Sequence, residues 1–389
     1  MTNVTSKLEN DILTIFIEGV IDTNNADTVE TSIKEQMAAN PSKSVVLDFD
    51  KLDYISSAGL RVILRLRKSL SDLKIINANP EVYTIFVNTG FSEMLKIEKA
   101  YRRYSVDGCE IIGTGAKGTV YRLDCETIIK VYKNADCLPM IHKERDLARR
   151  AFILGIPTAI SYDVVKVGDS YGSVFELLDA KSYTQLIREN PDNLDEYIKS
   201  FADLLKNIHT TIVSKDDMPD IKPFIFNWLD EIKEHITEEQ YNKLYDMIDK
   251  VPNTLNMLHC DYHTNNVMMQ NGETLLIDMD TLSRGNPIFE LANIYITYVG
   301  FGEADKTMVE NFLKLPYETA VLFWKKFLPV YLNSNNENYI KSVEDKIRLL
   351  SYIRLMRHYA RRGNTDHPSY TLCKERIPQL LETVTNFNI

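Results

Sequence analysis

The segment His259-Cys260-Asp261-Tyr262-His263-Thr264-Asn265-Asn266, with Asp278 downstream of it, constrains this chain more than any other part. Two short runs, Val267–Gln270 and Glu273–Ile277, flank Asn271-Gly272. An Asn-Gly pair in that setting is a strong signal for a type I′ hairpin. A hairpin there carries the chain from Asn266 back to Asp278, so the fold must bring an amide oxygen and a carboxylate to one place. Asp278 ends the apolar run Leu275-Leu276-Ile277 and is followed by Met279-Asp280. Hard oxygen ligands suit Mg2+, which usually bridges to substrate phosphates.

Gly113-Thr114-Gly115-Ala116-Lys117-Gly118 is a G-x-G-x-x-G run. In a dinucleotide site such a run opens into a helix. Here Thr119-Val120-Tyr121-Arg122-Leu123 follows and reads as a strand. A glycine-rich loop between two strands instead fits a cover over nucleotide phosphates, because glycine lets backbone N–H groups come close to phosphate oxygens. Lys130 sits in the middle of the apolar strand Thr127–Tyr132, where a lysine is costly unless paired. Phosphate oxygens and a helix carboxylate would pair it. Glu144, in the helical stretch Ile141–Leu154, is the first candidate and Asp146 the second. The other reading of Lys130 is an edge-strand lysine facing solvent.

Asp261 and Asn266 have the H-x-D-x-x-x-x-N spacing of a kinase catalytic loop. In that reading Asp261 orients the acceptor hydroxyl and takes its proton, and Asn266 binds Mg2+ with Asp278. A rival reading takes His259, Asp261 and His263 as transition-metal ligands. It leaves the glycine loop, Lys130 and Asp278 without a role.

The first hundred residues alternate strand-like and helix-like segments. Leu13–Glu18, Ser44–Phe49 and Lys74–Ala78 read as strands. Thr23–Ala38 and Ala58–Leu73 read as helices with apolar residues at helical spacing, and a final helix covers Glu81–Asn88. Such alternation implies parallel strands with helical crossovers. Between them, Asp53-Tyr54-Ile55-Ser56-Ser57-Ala58-Gly59-Leu60 leads from a strand into a helix, and Ser57 falls where an N-cap belongs. A helix N-terminus also suits a phosphate. The charged stretch Lys99–Gly108 sets a boundary near residue 104. Beyond it, strand-rich sequence fills about 108–178 and helix-rich sequence most of 183–389.

The net charge of −10 argues against broad nucleic-acid binding. Five cysteines without a CxxC pair suit free thiols in a reducing cytosol. The N-terminus lacks the basic and apolar regions of a signal peptide, and the longest apolar stretch, near Ile288–Phe301, is too short to cross a bilayer. These features point to a cytoplasmic protein without a membrane partner.

Residues 4–100, with the VLDF strand and the ISSAGL turn, resemble a STAS domain, the fold of bacterial anti-sigma-factor antagonists. The resemblance implies a mixed α/β sheet with helices, and a serine matching Ser57 that a partner kinase phosphorylates to switch binding. Ser56 replaces the aspartate usual before that serine. Residues 108–300 resemble the aminoglycoside phosphotransferase and choline kinase group. The matching points are the glycine loop, Lys130 with Glu144, Gly155-Ile156-Pro157, HCDYHTNN, IDMD, Gly285-Asn286-Pro287 and Glu290-Leu291-Ala292. Cys260 stands where the group has the glycine of H-G-D, and Glu290 where it has an aspartate. The D-F-G and A-P-E motifs of protein kinases are absent from the sequence, which favours a small-molecule acceptor.

The expectation is therefore a STAS domain over 1–104 followed by a two-lobed α+β protein-kinase-like fold over 105–389. The N-lobe would cover about 105–178 and the helical C-lobe about 183–389. The resemblance implies ATP held by Gly113, Gly115, Gly118, Lys130 and Glu144, with a hinge at Glu176 and Leu178 meeting adenine. Transfer would go to a hydroxyl of a small molecule, regulated by the STAS module. The alternative is a regulatory protein that captures an anti-sigma-like partner and whose kinase-like lobe only senses nucleotide. For the acceptor, Glu303, Asp305 and Glu310 could draw a cation, and Arg354, Arg357 and Arg361 on the basic helix Lys346–Arg362 could meet an anion. Charged faces are usually only solvated, so sequence leaves the sign open.

Overall fold

The computed structural model describes residues 2–70, 72–115, 117–134 and 137–389. The chain divides into two compact units, Met1–Ser105 with Val164–Asp169, and Val106–Asp163 with Ser170–Ile389. No helix among the described residues is long and apolar enough to cross a membrane.

The first unit runs β1 (Asn3–Glu9), β2 (Ile12–Ile21), α1 (Ala26–Ala39), β3 (Ser44–Asp48), β4 (Leu52–Ile55) and α2 (Ser57–Ser69). It continues with β5 (Leu73–Ala78), α3 (Pro80–Asn88), α4 (Phe91–Met94), β6 (Lys96–Lys99) and β7 (Arg103–Tyr104). The sheet order is β1-β2-β3-β5-β6, with β4 beside β2. β1 is antiparallel to β2, and the β2–β3, β3–β5 and β5–β6 pairs are parallel, as the crossover pattern requires. Alternation along β2 buries Leu13, Ile15 and Ile17 and leaves Phe16 exposed. Ile15, Leu47 and Ile75 of the strands pack with Ile33, Ile63 and Phe86 of the helices in one fully buried core.

At the ISSAGL turn the cap falls one residue earlier than the sequence implied. Ser56 is the N-cap of α2, with extended backbone and its Oγ accepting from the Gly59 N–H at 3.4 Å. Ser57 is the first residue of the helix and is exposed. The shift follows from which serine keeps β-region dihedrals, a choice that two adjacent serines leave open in sequence.

In the second unit, β8 (Ile111–Thr114), β9 (Gly118–Arg122), β10 (Thr127–Tyr132) and β12 (Ser170–Glu176) form an antiparallel array in the order β8-β9-β10-β12. β11 (Ser161–Val167) precedes β12, and α5 (Leu138–Ile153) follows β10. α5 buries Ile141, Glu144, Leu147, Ala148 and Ala151 along one stripe. Lys130 faces Val120 on one neighbour and Ser173 on the other, so β10 is interior and the edge-strand reading is excluded.

After β12 come β13 (Lys181–Ser182), α6 (Tyr183–Glu189), α7 (Leu194–Thr210), α8 (Lys222–Asp230) and α9 (Glu238–Asp249). The short strands β14 (Met257–Leu258), β15 (Val267–Gln270), β16 (Glu273–Leu276) and β17 (Ser283–Arg284) follow. The chain ends in α10 (Ile288–Tyr298), α11 (Lys306–Leu313), α12 (Tyr317–Leu332), α13 (Glu337–Ala360) and α14 (Pro368–Thr383). The apolar stretch near Ile288 becomes α10, buried almost all round. Ile347, Leu350, Ile353 and Leu355 of α13 face inward, as the basic helix pattern implies.

Candidate active site

The hairpin forms where Asn271-Gly272 placed it. β15 and β16 pair antiparallel with Val267 opposite Leu276, and both turn residues have positive φ, 51° and 85°. One step beyond the ladder, the Ile277 N–H donates to the Asn266 carbonyl at 2.9 Å, which sets Asp278 one residue from the point opposite Asn266. Asp278 has φ 62° and ψ 66°, a left-handed conformation that aspartate tolerates better than most residues. Its carboxylate lies 3.2 Å from the Lys130 ammonium.

Lys130 also bonds Glu144 at 2.8 Å, and the second oxygen of Glu144 accepts from Tyr132 Oη at 2.7 Å. Burial alone would lower the Lys130 pKa, but the Glu144 and Asp278 carboxylates outweigh it and hold the pKa above the ordinary lysine value. Asp146, the second candidate partner, is exposed.

The carboxylates of Glu144, Asp278 and Asp280 have oxygens within 4.8 Å of one another, the one such His/Cys/Asp/Glu cluster among the described residues. An all-oxygen donor set fits a hard divalent cation such as Mg2+. Asp280, which the sequence reading left without a role, is drawn in by the 3-10 turn at Met279–Thr281 and is paired with Lys117 of the glycine loop. His259, Asp261 and His263 form no comparable cluster, so the transition-metal reading fails.

The loop holding Asp261 is fixed from several sides. The next residue, Tyr262, is buried against Phe201 with ring centroids 4.3 Å apart, and its Oη donates to the Phe201 carbonyl at 2.7 Å. The Thr264 N–H donates to Tyr298 Oη at 3.0 Å. Asn266 Nδ2 donates to the Asp261 carbonyl at 3.0 Å and to its carboxylate at 3.3 Å, so only Oδ1 of that amide remains to act as a ligand. Burial would raise the Asp261 pKa, but the His263 hydrogen bond and the positive fields of His263, His259 and Arg354 bring it down to about 2. The carboxylate is therefore ionised at neutral pH.

A buried acid to which the sequence reading gave no role in this loop holds it. Glu290 is fully buried and accepts from the His259 N–H at 2.9 Å and the Cys260 N–H at 2.7 Å. His209 Nε2 lies 2.8 Å from it, and the other ring nitrogen of His209 is 2.7 Å from Tyr331 Oη. In sequence Glu290 stood out only through the resemblance, as the acid in place of the group's aspartate; nothing in the spacing showed that it would hold this loop.

Cys260 has φ 67°, a backbone region that glycine enters freely and other residues at a cost. Burial first, then the Glu290 charge, push its thiol well above the ordinary value, so it is a packed neutral thiol. Cys260→Gly is expected to shift stability by less than about 1 kcal/mol, because relief of strain offsets lost packing. Cys260→Val should cost about 2–3 kcal/mol, since a β-branched side chain suits this φ worst. Urea denaturation reads both.

In the glycine loop, Gly118 is demanded by the protein itself: a Cβ there would sit 2.2 Å from the Val131 carbonyl oxygen. Cβ atoms at Gly113 and Gly115 would meet nothing closer than 3.9 and 4.0 Å. Packing does not impose those two glycines, and a ligand that approaches the backbone would. Ala116 lies outside the described residues. At the hinge, the N–H groups of Glu176 and Leu177 are taken by Ile160 and Glu126 carbonyls, and Leu178 follows them in the segment between β12 and β13.

Residues 3–103 match the model of the STAS domain, and residues 108–319, more than half the chain, match the model of the phosphotransferase enzyme family. The chain belongs to that phosphotransferase family. Its N-terminal part is a STAS domain. BtrV of Bordetella bronchiseptica, whose name gives it as an anti-sigma factor antagonist, is 34% identical over 90 residues, which are 22% of this chain and 77% of BtrV. A thermostable mutant of aminoglycoside phosphotransferase APH(4)-Ia is 14% identical with a TM-score of 0.47, covering 71% of this chain and 94% of that one. A choline/ethanolamine kinase family protein from Mesorhizobium loti is 12% identical with a TM-score of 0.44, covering 71% and 88%.

The phosphotransferase part thus places Lys130, Glu144, Asp278 and Asp280 in one cluster and joins Asp261 to Asn266 in the adjoining loop. Ser57 belongs to the other unit.

Proposed function

We propose that this chain transfers the γ-phosphoryl group of ATP to a hydroxyl of a small molecule, with Mg2+, and that its STAS domain regulates the reaction. The observation that carries this is Lys130, held between Glu144 and Asp278, beside a loop in which Asn266 is tied to Asp261. In this reading Lys130 pairs with phosphate oxygens and Glu144 keeps it in place. The glycine loop at Gly113, Gly115 and Gly118 covers the phosphates, and the backbone at Glu176 and Leu178 meets the base. Asp278 and Asn266 hold Mg2+, with Asp280 beside them. Bound there, Mg2+ would neutralise phosphate charge and lower the barrier to transfer. Asp261, ionised and fixed, orients the acceptor hydroxyl and accepts its proton.

The exposed Ser57 hydroxyl is proposed as the regulatory phosphorylation site. Its place in the first turn of α2 favours an added anion through the free N–H groups and the helix dipole. A docking surface around it would gain a charge of about −2, which fits a switch for an anti-sigma-like protein partner. The five cysteines are all unpaired, which fits a reducing cytoplasm.

Incubating the full chain with ATP, Mg2+ and a panel of hydroxyl compounds tests the reading. Acceptor-dependent ADP release is expected, falling at least about 10²-fold in Lys130→Ala. Nucleotide binding without transfer to any acceptor would favour a nucleotide-sensing regulator instead. Intact mass from the same incubation reports whether the chain adds a phosphoryl group to itself, and an unchanged mass dismisses self-phosphorylation.

A further inference from the structure

A cavity of about 350 Å3 in the second unit is lined by Phe301, Arg354, Arg357, His358, Arg361 and Arg362. Its volume is that of a small-ligand site, and no carboxylate lines it. Among the described residues, Glu231 is the one acid bonded to the lining arginines, with two contacts to Arg357 at 2.9 and 3.0 Å and one to Arg361 at 3.4 Å. The remaining contacts are neutral. Arg354 donates to Asn293 Oδ1 at 2.6 Å and lies over the Trp228 ring at 5.3 Å, and Arg362 donates to the His358 carbonyl at 2.9 Å. Among the described residues, the four guanidinium groups, which stay charged at any working pH, therefore have between them a single bonded carboxylate, Glu231. Burial first, and then the charges of Arg362, Arg354, His367 and Arg357, push the His358 pKa down to about 4. His358 thus joins the cavity as a neutral hydrogen-bonding group.

The cavity is linked to the catalytic loop. Asn293, which takes the Arg354 hydrogen bond, donates to the Cys260 carbonyl at 3.4 Å, next to Asp261. Arg354 and Asp261 also lie within each other's fields. The acids that could have drawn a cation are engaged elsewhere. Glu303 accepts from Tyr295 and Tyr352 hydroxyls at 2.5 and 2.7 Å, Asp305 caps α11 through Thr307, and Glu310 accepts from the Tyr317 N–H at 3.3 Å.

We propose that this cavity binds the carboxylate or phosphate of the acceptor, so that the substrate is a hydroxylated small anion and not an amine. The inference rests on the phosphotransferase reading above. In the step it implies, the acceptor's hydroxyl oxygen bonds to the γ-phosphorus and its proton passes to Asp261. The bond from the γ-phosphorus to the β–γ bridging oxygen breaks, and ADP leaves with the electron pair.

The test is calorimetric titration of the full chain saturated with a non-hydrolysable ATP analogue and Mg2+. The probes are glycerate, glycerol 3-phosphate, glycerol and choline. One or both anions are expected to bind, with glycerate against glycerol 3-phosphate telling carboxylate from phosphate, while glycerol and choline give no heat. Arg361→Gln/Arg362→Gln should weaken anion binding at least tenfold and keep analogue binding. Both positions are exposed at the end of α13, and circular dichroism checks the fold. Choline binding, no anion binding, or anion binding unchanged in the variant overturns the proposal and leaves the kinase reading standing. Failure of the analogue itself to bind overturns the kinase reading, and this proposal with it.

Discussion

Asp261→Asn is expected to lower kcat for phosphoryl transfer by about 10²–10⁴-fold, the usual contribution of a positioned proton acceptor. ATP affinity should stay within about twofold. The asparagine has the same shape, and its oxygen can still accept from Asn266 Nδ2, so the loop should keep its course. In the proposed mechanism, what is lost is the negative oxygen that takes the hydroxyl's proton. A variant that keeps more than a tenth of the activity would remove Asp261 from the mechanism. The same carboxylate gives a stability signature. Its folded pKa, about 2, lies below the ordinary value of 3.8. The stability it contributes is present above about pH 4 and is lost as pH falls toward 2, because the unfolded chain takes up the proton first. Acid titration of the variant should lack that part of the decline. Turnover of the native protein should show no acid limb from Asp261 in the neutral range.

Glu290→Ala is expected to destabilise the second unit by about 3–5 kcal/mol, the cost of breaking a buried charged network from one side. The side chain is fully buried and accepts from two backbone N–H groups, with His209 Nε2 also at bonding distance. Alanine leaves those groups unpaired without access to water. Glu290→Gln should also be costly. Cys260 donates to one oxygen of Glu290 and His259 to the other, so an amide must turn its NH2 toward a donor. Both tryptophans, Trp228 and Trp324, lie in the second unit, so their fluorescence during urea unfolding reads this unit alone. A loss under about 1 kcal/mol for alanine would mean that the loop is held by other contacts.

Local order was legible where neighbouring residues encode it. The alternation in the first hundred residues gave the parallel strands of the STAS domain, with errors of a few residues at the ends. The α2 helix stops at Ser69, short of the implied Leu73, and its cap is Ser56. The Asn-Gly turn alone predicted the hairpin that brings Asn266 near Asp278. Lys130 was legible as a lysine that needs a partner if its strand is interior, with Glu144 the first of two candidates; the pairing of β10 on both sides and the buried stripe of α5 chose Glu144 over Asp146.

The long-range pairings were not. His209 meets Glu290, and Arg354 meets Asn293, across intervals with no shared periodicity. The Glu303 carboxylate looked available in sequence and is taken by two tyrosines. The sequence by itself determined the elements, the two modules and the residue types for phosphoryl transfer, because backbone conformation answers to adjacent side chains. Only the tertiary structure decided which acids stay committed and which arginines share one cavity. Electrostatic partnership depends on distance in space, and that exists only once the helices have packed.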